Sequence, residues 1–455
     1  MYNRKEIKRF FAGIFLMAIA QLSIGQPEQR PDYNDGTGFF VKNGNIYDHN
    51  GIAFTPYGVN NVHVWLDEAN SKNALKLELK KARMNTVRLV TAGESWTWNN
   101  QSATPAQKKE LVKLAVEAHL IPILELHDGT CLNECDKAAA DGKMGLKQIV
   151  DHWLLPDNVA MLKEYEQYLW LNIANEWGPD ADNDQAVDYL NCYKESITRL
   201  REAGIKNLLV IDAGGCGQDP RTLLNYTDQL LEHDPQHNIV ASIHLYGLWR
   251  SKNRTFTGWT PPYVVEDVIP QLAAMETPVF VGEFGWTDTG TSVNYDPKIL
   301  VQTCKASDIG WLFWAWHSND TEPFFNISTR SDLKYFSSND LSAAGKYLVD
   351  DPEFGFKSVA TPASMFPVVV TGVENRELNR SFKVFPNPAG DTIYIKSDLI
   401  LQNAFRIYDS QGKIVQQGIL TKKESQILLK SMAQGNYILN IVVNNQFASF
   451  KFRKR

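Results

Sequence analysis

The sequence predicts a (β/α)8 barrel followed by a small β-sandwich. Short apolar runs alternate with helix-like patterns over most of the chain, polar residues collect where those runs end, and the alternation stops near Asp350. The apolar runs fall at 53–58, 86–90, 121–126, 169–174, 208–211, 239–245, 279–281 and 311–315. Each is short and nearly continuously apolar, as parallel strands covered by helices on both faces require. Eight such strands alternating with helices point to a closed barrel. The structural alternative is a doubly wound open sheet, but no Gly-rich phosphate loop follows the first run.

Taken in order, the chain opens on Arg4, Lys5, Lys8 and Arg9 before an apolar run from Phe10 to Ala20. A basic head, a short apolar stretch and Ala18-x-Ala20 predict a secretory signal peptide over residues 1–25, with cleavage after Ala20 or Gly25. The run is shorter than the ~20 residues of a membrane span. The absence of cysteine there argues against a lipid-anchored N-terminus, and the mature protein is expected outside the cytoplasm. Asn43-Gly44 and Asn50-Gly51 then mark turns of a hairpin leading into the first core strand. Thr104-Pro105 opens the clearest helix, a capping residue followed by Pro at the first turn, with Leu111, Leu114, Ala115 and Ala118 on one face. Helical patterns also cover 186–203 and 297–306. Residues 351–380 lack a sustained period and are expected to be a linker. From 381 to 455, short alternating runs at 392–396, 405–408 and 437–443, with a turn at Asn444-Asn445, predict the sandwich.

Composition bounds the function. A net charge of −6 with both signs interspersed gives no basic stripe for nucleic acid. The 12 Trp and 17 Tyr offer flat faces on which sugar rings stack, though Trp also fills cores. The five cysteines, Cys131, Cys135, Cys192, Cys216 and Cys304, are an odd number for an oxidising compartment. Cys131 and Cys135 are close enough to staple a loop. At least one thiol is expected to be free and buried, and no ligand set for zinc is complete.

The chemistry lies at the ends of the barrel strands, where such enzymes build their sites. Leu171 to Trp177 is an apolar run ending in Asn175, Glu176 and Trp177. Val281-Gly282-Glu283-Phe284-Gly285 sets a second carboxylate between glycines, and small neighbours would let a ligand approach. Glu176 and Glu283 are 107 residues apart, about 36 per βα unit over three units. Two carboxylates on one rim suit a glycosidic bond between them: one protonates the leaving oxygen and the other attacks the anomeric carbon. Arg88 and Tyr246 fall where they would keep the attacking carboxylate ionised. Structural pairing on the rim is the plainer reading of both.

These residues resemble glycoside hydrolase family 5 from about Gly38 to Asp350. The resemblance implies a retaining enzyme whose site comprises Arg88, His127, Asn175, Glu176, His244, Tyr246, Glu283 and Trp314. Glu176 would be the acid/base, Glu283 the nucleophile, and Asn175 the partner of the sugar 2-hydroxyl. Trp314 would floor the site, with Trp316 as its substitute by strand alternation. Either tryptophan would be core filler on the plainer reading. His63, Trp65 and Trp177 would line outer sugar subsites. Within the family, 58–65, 124–128, 211–218 and 310–316 resemble bacterial β-1,4-mannanases, while the loops after His127 and Tyr246 depart from that pattern. A retaining endo-β-1,4-mannanase is expected, with a cellulase of the same machinery or a non-catalytic sugar-binding protein as alternatives. No metal or organic cofactor is called for, and the chain is expected to act as a monomer on a polysaccharide.

The C-terminal module resembles the sorting domain of type IX secretion through Val384-Phe385-Pro386-Asn387-Pro388, Ile407 to Lys413, Gly435-Asn436-Tyr437 and the basic end Lys451 to Arg455. That implies the secretion machinery as partner and an extracellular or outer-membrane surface location. A carbohydrate-binding sandwich is the alternative.

Overall fold

The computed structural model describes residues 27–455 apart from 66–67, 94–102, 137–142, 185, 287–292, 319–322, 367–375, 398–402, 410–413, 421–422, 431 and 444–445. The expected signal peptide, 1–25, lies outside the described residues. No described helix is long and apolar enough to cross a membrane. The chain divides into two compact units, Pro27–Val369 and the segment from Val370 to Arg455.

The first unit begins with the hairpin β1 (Phe40–Lys42) and β2 (Asn45–Tyr47), paired antiparallel. Its two-residue turn needs positive φ at both positions, which Asn43 (50°) and Gly44 (71°) adopt. Six strands follow: β3 (Tyr57–Val62), β4 (Thr86–Thr91), β5 (Ile121–Leu126), β6 (Trp170–Asn172), β7 (Leu209–Asp212) and β8 (Ile239–Leu245). A short parallel pair, β9 (Trp249–Arg250) and β10 (Tyr263–Val264), sits in the connection after β8. With β11 (Val279–Phe284) and β12 (Gly310–Phe313), the eight strands β3–β8, β11 and β12 close a barrel, every pairing parallel.

The first barrel strand starts at Tyr57 rather than Ala53. Residue 53 instead bridges back to Tyr47, completing the hairpin. The helix Pro105–Glu117 has the expected Thr104 cap, reinforced by a capping box with Gln107. Alternation along the strands sorts the core. Ile123, Trp170, Val210, Val240, Phe280 and Leu312 form one buried cluster, which fills the barrel's lower interior. Leu171, Leu209, Ile211, Ile243 and Val281 belong to the larger cluster that packs against the helices. Phe39 and Phe54 close the lower end edge-on against Trp170, at 5.1 and 5.9 Å.

The expected linker is corrected over its first half. Phe356 is fully buried in a short helix, Phe356–Val359, while Ala363 and Phe366 join the cluster at the base of the barrel. Asn85 donates to the Thr361 carbonyl at 2.9 Å. Scattered apolar residues hid this packing because they serve one spot on the base and need no period.

The second unit holds two antiparallel sheets. One is β13 (Phe382–Phe385), β14 (Thr392–Ser397) and β17 (Glu424–Leu428). The other is β16 (Ile414–Leu420), β15 (Asn403–Tyr408), β18 (Gly435–Val443) and β19 (Gln446–Lys454). Ile393, Ile395, Ile407, Leu439 and Ile441 are buried between them, as alternation in a sandwich requires. Val443 pairs with Gln446 across the expected turn at 444–445, which lies outside the described residues.

Candidate active site

Arg88 is the centre of the upper barrel. It points inward from β4 and is fully buried. Its guanidinium donates to Glu283 Oε1 at 2.7 Å, Asn175 Oδ1 at 2.7 Å, Asn172 Oδ1 at 2.9 Å and Asn60 Oδ1 at 3.0 Å. Burial disfavours the cation, but Glu125, Glu283, Asp212 and Glu176 around it outweigh that and raise its pKa. Removing one partner of a buried pair leaves a desolvated charge. Arg88→Met is therefore expected to cost roughly 3–5 kcal/mol, read as the shift in urea unfolding. A cost below about 1 kcal/mol would show that the carboxylates do not depend on it.

Glu283 reaches the interior through an irregularity. Strict alternation from the inward Phe280 would send residue 283 outward with Val281. The ladder to β8 slips between Val281 and Glu283, a bulge that turns Glu283 inward and leaves Phe284 in the outer core. Both carboxylate oxygens then accept hydrogen bonds, from Arg88 and, at 2.9 Å, from the Tyr246 hydroxyl. Burial pushes the carboxyl above its ordinary range, while His244 and Arg88 pull it back. The flanking glycines make room for protein rather than ligand. A Cβ at 282 would lie 2.2 Å from Ser242 Oγ and 2.9 Å from His244 Nε2, and one at 285 would meet the Phe325 ring.

Glu176 follows the end of β6 with φ 47°, a left-handed conformation that costs a residue with a Cβ roughly 1–2 kcal/mol. Its amide donates to Asp212 Oδ2 at 3.0 Å, and its Oε1 lies 2.9 Å from His244 Nδ1. One ligand atom each of Glu176, His244 and Glu283 lie within 4.8 Å of one another. At least one oxygen of each carboxylate therefore lies within 4.8 Å of the other. The same three groups are close enough to hold a cation. Burial alone would lower the His244 pKa, but Glu283, Asp212 and Glu176 push it up to about 9.

A cleft of about 440 Å³ opens above the pair, with His127, Tyr246, Trp314 and Phe325 among its walls. His127 stacks on Trp314 at 5.8 Å, and Trp65 meets the two rings at 5.6 and 6.2 Å. Burial would lower His127, but Glu125 at 3.4 Å overcomes it and raises the imidazole above its usual value. Asn175 turns its amide nitrogen to Thr130 Oγ1 at 2.7 Å.

Arg88, Asn175 and His244 lie buried beneath the cleft, and three other expected site residues, Trp316, Trp177 and His63, serve the packing elsewhere. β12 ends at Phe313, so alternation does not carry on to Trp316. That ring is fully buried, donating to the Leu333 carbonyl and packing edge-on against Tyr335. Trp177 is fully buried against Tyr189 and Tyr193 of the helix Ala186–Glu202, with its indole N–H on the Glu134 carbonyl. His63 is buried with both ring nitrogens engaged, by Asn61 and Ser71, and burial lowers it to about 3.

Sequence reasoning missed Asp212, Gln218, Phe325 and the disulfides. Cys131 pairs with Cys216 and Cys135 with Cys192, so the two close cysteines staple different partners; Cys304 is free and buried. Cys131–Cys216 joins the loops after β5 and β7 on the cleft wall, and the Cys131 amide donates to the Glu176 carbonyl at 3.2 Å. Gly217 beside it has φ 73°, and a Cβ there would lie 2.9 Å from Glu176 Cγ. Replacing Cys131 and Cys216 together by Ala should cost roughly 2–4 kcal/mol under oxidising conditions, read as a fall in thermal midpoint. An unchanged midpoint would mean that the bridge does not constrain the unfolded chain.

Comparison with known proteins agrees with this geometry. Residues 47–320 match the model of cellulase (glycosyl hydrolase family 5), and 383–454 match that of the secretion system C-terminal sorting domain. A mannan endo-1,4-beta-mannosidase of Cellvibrio japonicus is 26% identical over 80% of this chain and 75% of its own. Another, from Salipaludibacillus agaradhaerens, is 28% identical over 63% of this chain and 83% of its own. Among solved structures, a β-mannanase from Thermomonospora fusca is 27% identical with a TM-score of 0.59, covering 72% of this chain and 98% of its own. With its closed parallel barrel and matching family model, the chain belongs to glycosyl hydrolase family 5, and it is a glycoside hydrolase carrying a C-terminal sorting domain.

Proposed function

We propose that this enzyme is a secreted endo-β-1,4-mannanase that cleaves with retention by double displacement. The observation carrying the mechanism is the facing pair: Glu283, both oxygens held by Arg88 and Tyr246, and Glu176 across from it on His244. In the first step a Glu283 oxygen attacks the anomeric carbon as the glycosidic C–O bond breaks. The proton of Glu176 passes to the leaving oxygen. In the second step Glu176 takes a proton from water, whose oxygen displaces Glu283 at the same carbon. One water is consumed, and two inversions restore the configuration. Asn175 would exchange its Thr130 partner for the 2-hydroxyl, and Trp314 with His127 and Trp65 forms an aromatic wall for sugar rings.

Mannan as substrate is supported by the mannan-cleaving relatives and by the Thermomonospora fusca enzyme, whose structure is also known as a mannohexaose complex. Reducing-sugar release should be fastest on galactomannan and glucomannan and at least tenfold slower on carboxymethylcellulose. The reverse order would make the enzyme a glucanase. Proton NMR of the first product should show the β anomer. An initial α product would end the double-displacement reading. Export is assigned to the C-terminal domain. Deleting residues 382–455 should keep the enzyme inside the cell and leave turnover intact; lost polysaccharide affinity in the purified truncation would favour a sugar-binding sandwich.

A further inference from the structure

Asp212 closes β7 and shares the inward face with Val210. It is fully buried, beneath the wall of the cleft. Its Oδ2 accepts the Glu176 backbone N–H at 3.0 Å, and the same oxygen lies 3.7 Å from His244 Nε2. The opposite ring nitrogen of His244 meets Glu176 Oε1 at 2.9 Å. One carboxylate thus holds the Glu176 backbone directly and lies beside, though beyond hydrogen-bond reach of, the histidine that meets the Glu176 side chain. The grip is itself anchored: Asn172 donates to Oδ1 at 3.2 Å, and the Tyr189 hydroxyl donates to the Asp212 carbonyl at 2.7 Å.

The backbone explains why such a grip is needed. β6 ends at Asn172, so the Glu176 amide has no strand ladder to join, and its left-handed φ must be held by neighbours. Service as a counter-ion to Arg88 does not account for this placement. Arg88 already holds Glu283 at 2.7 Å, against 3.4 Å to Asp212. We infer that Asp212 is a positioning residue for proton transfer, holding the Glu176 carboxyl over the glycosidic oxygen through the Glu176 amide, with its charge beside the His244 ring that the carboxyl meets. The inference rests on the reading of Glu176 as the acid.

The test is the dependence of rate on the leaving group. In Asp212→Asn, a near-isostere, one oxygen becomes an amide nitrogen, so the side chain satisfies either Asn172 or the Glu176 side, not both. Asp212→Ala removes the grip entirely. Both are measured on the full chain, with thermal unfolding to establish that each is folded. A misplaced acid should lower kcat/KM on galactomannan by roughly 100-fold, within the span of general acid catalysis. A dinitrophenyl β-mannoside, whose leaving group needs no proton, should lose less than about fivefold in its first-step rate. Equal losses on the two substrates, or no loss on either, would overturn the inference. Glu176→Ala run alongside separates the two claims. If it shows the leaving-group contrast and the Asp212 variants do not, only the positioning role falls. If Glu176→Ala shows no contrast, the assignment of the acid falls and takes the inference with it.

Discussion

Glu283→Ala is expected to lose activity on every substrate, by a factor on the order of 10⁵ or more, whatever the leaving group. On the proposed mechanism, removing Glu283 removes the bond-forming partner of the first step, and neither Arg88 nor Tyr246 can replace it. The folded state should not suffer in proportion. The variant deletes a buried carboxyl that burial already disfavours, although it leaves Arg88 with one anionic partner fewer. Dinitrophenyl glycoside cleavage, followed with circular dichroism of the same sample, checks both parts. Added azide fits the space left by the side chain and would attack from that side, giving the α-glycosyl azide. Residual activity within tenfold of the parent on the activated substrate would show that Glu283 is not the nucleophile.

Glu176→Ala should behave differently because an acid is needed only where the leaving group is poor. Polysaccharide hydrolysis should fall by roughly 10²–10⁴-fold, the usual contribution of a positioned acid or base. On a dinitrophenyl glycoside the first step should stay near the parent rate. The second, which needs Glu176 as base, should become limiting and give a burst of released phenol. Azide needs no base and should relieve the second step, giving a β-glycosyl azide. The absence of both burst and azide acceleration would move the acid/base role elsewhere.

The barrel was legible because its signal is repeated. Eight short apolar runs alternating with helices leave few ways to pack, and an error at one boundary does not propagate. The first apolar run lies at 53–58 and the strand at Tyr57–Val62, yet the number of barrel strands is unchanged. The acidic and basic groups of the cleft were legible for a related reason, since polar residues after an apolar run must face a rim. Asp212 carried the same signal at the end of β7, one position beyond where the run was ended.

Other features had no local signature. The indoles of Trp177 and Trp316 are chemically suited to a sugar wall, but each has a buried carbonyl to satisfy, of Glu134 and of Leu333. Which use wins depends on chain supplied from distant segments. The pairing of Cys131 with Cys216 likewise depends on loops after β5 and β7 meeting on one rim.

From composition and periodicity alone follow the barrel, the sandwich and the presence of two carboxylates at strand ends, because burying an apolar face at a fixed repeat is a local demand of the chain. That those carboxylates face one another across a few ångströms follows from neither. It needs the slipped ladder that turns Glu283 inward, the left-handed Glu176 held by Asp212, and the Arg88 charge that pairs with Glu283. A buried charge is tolerated only where partners from other strands surround it, and such partners are assembled by closure of the barrel.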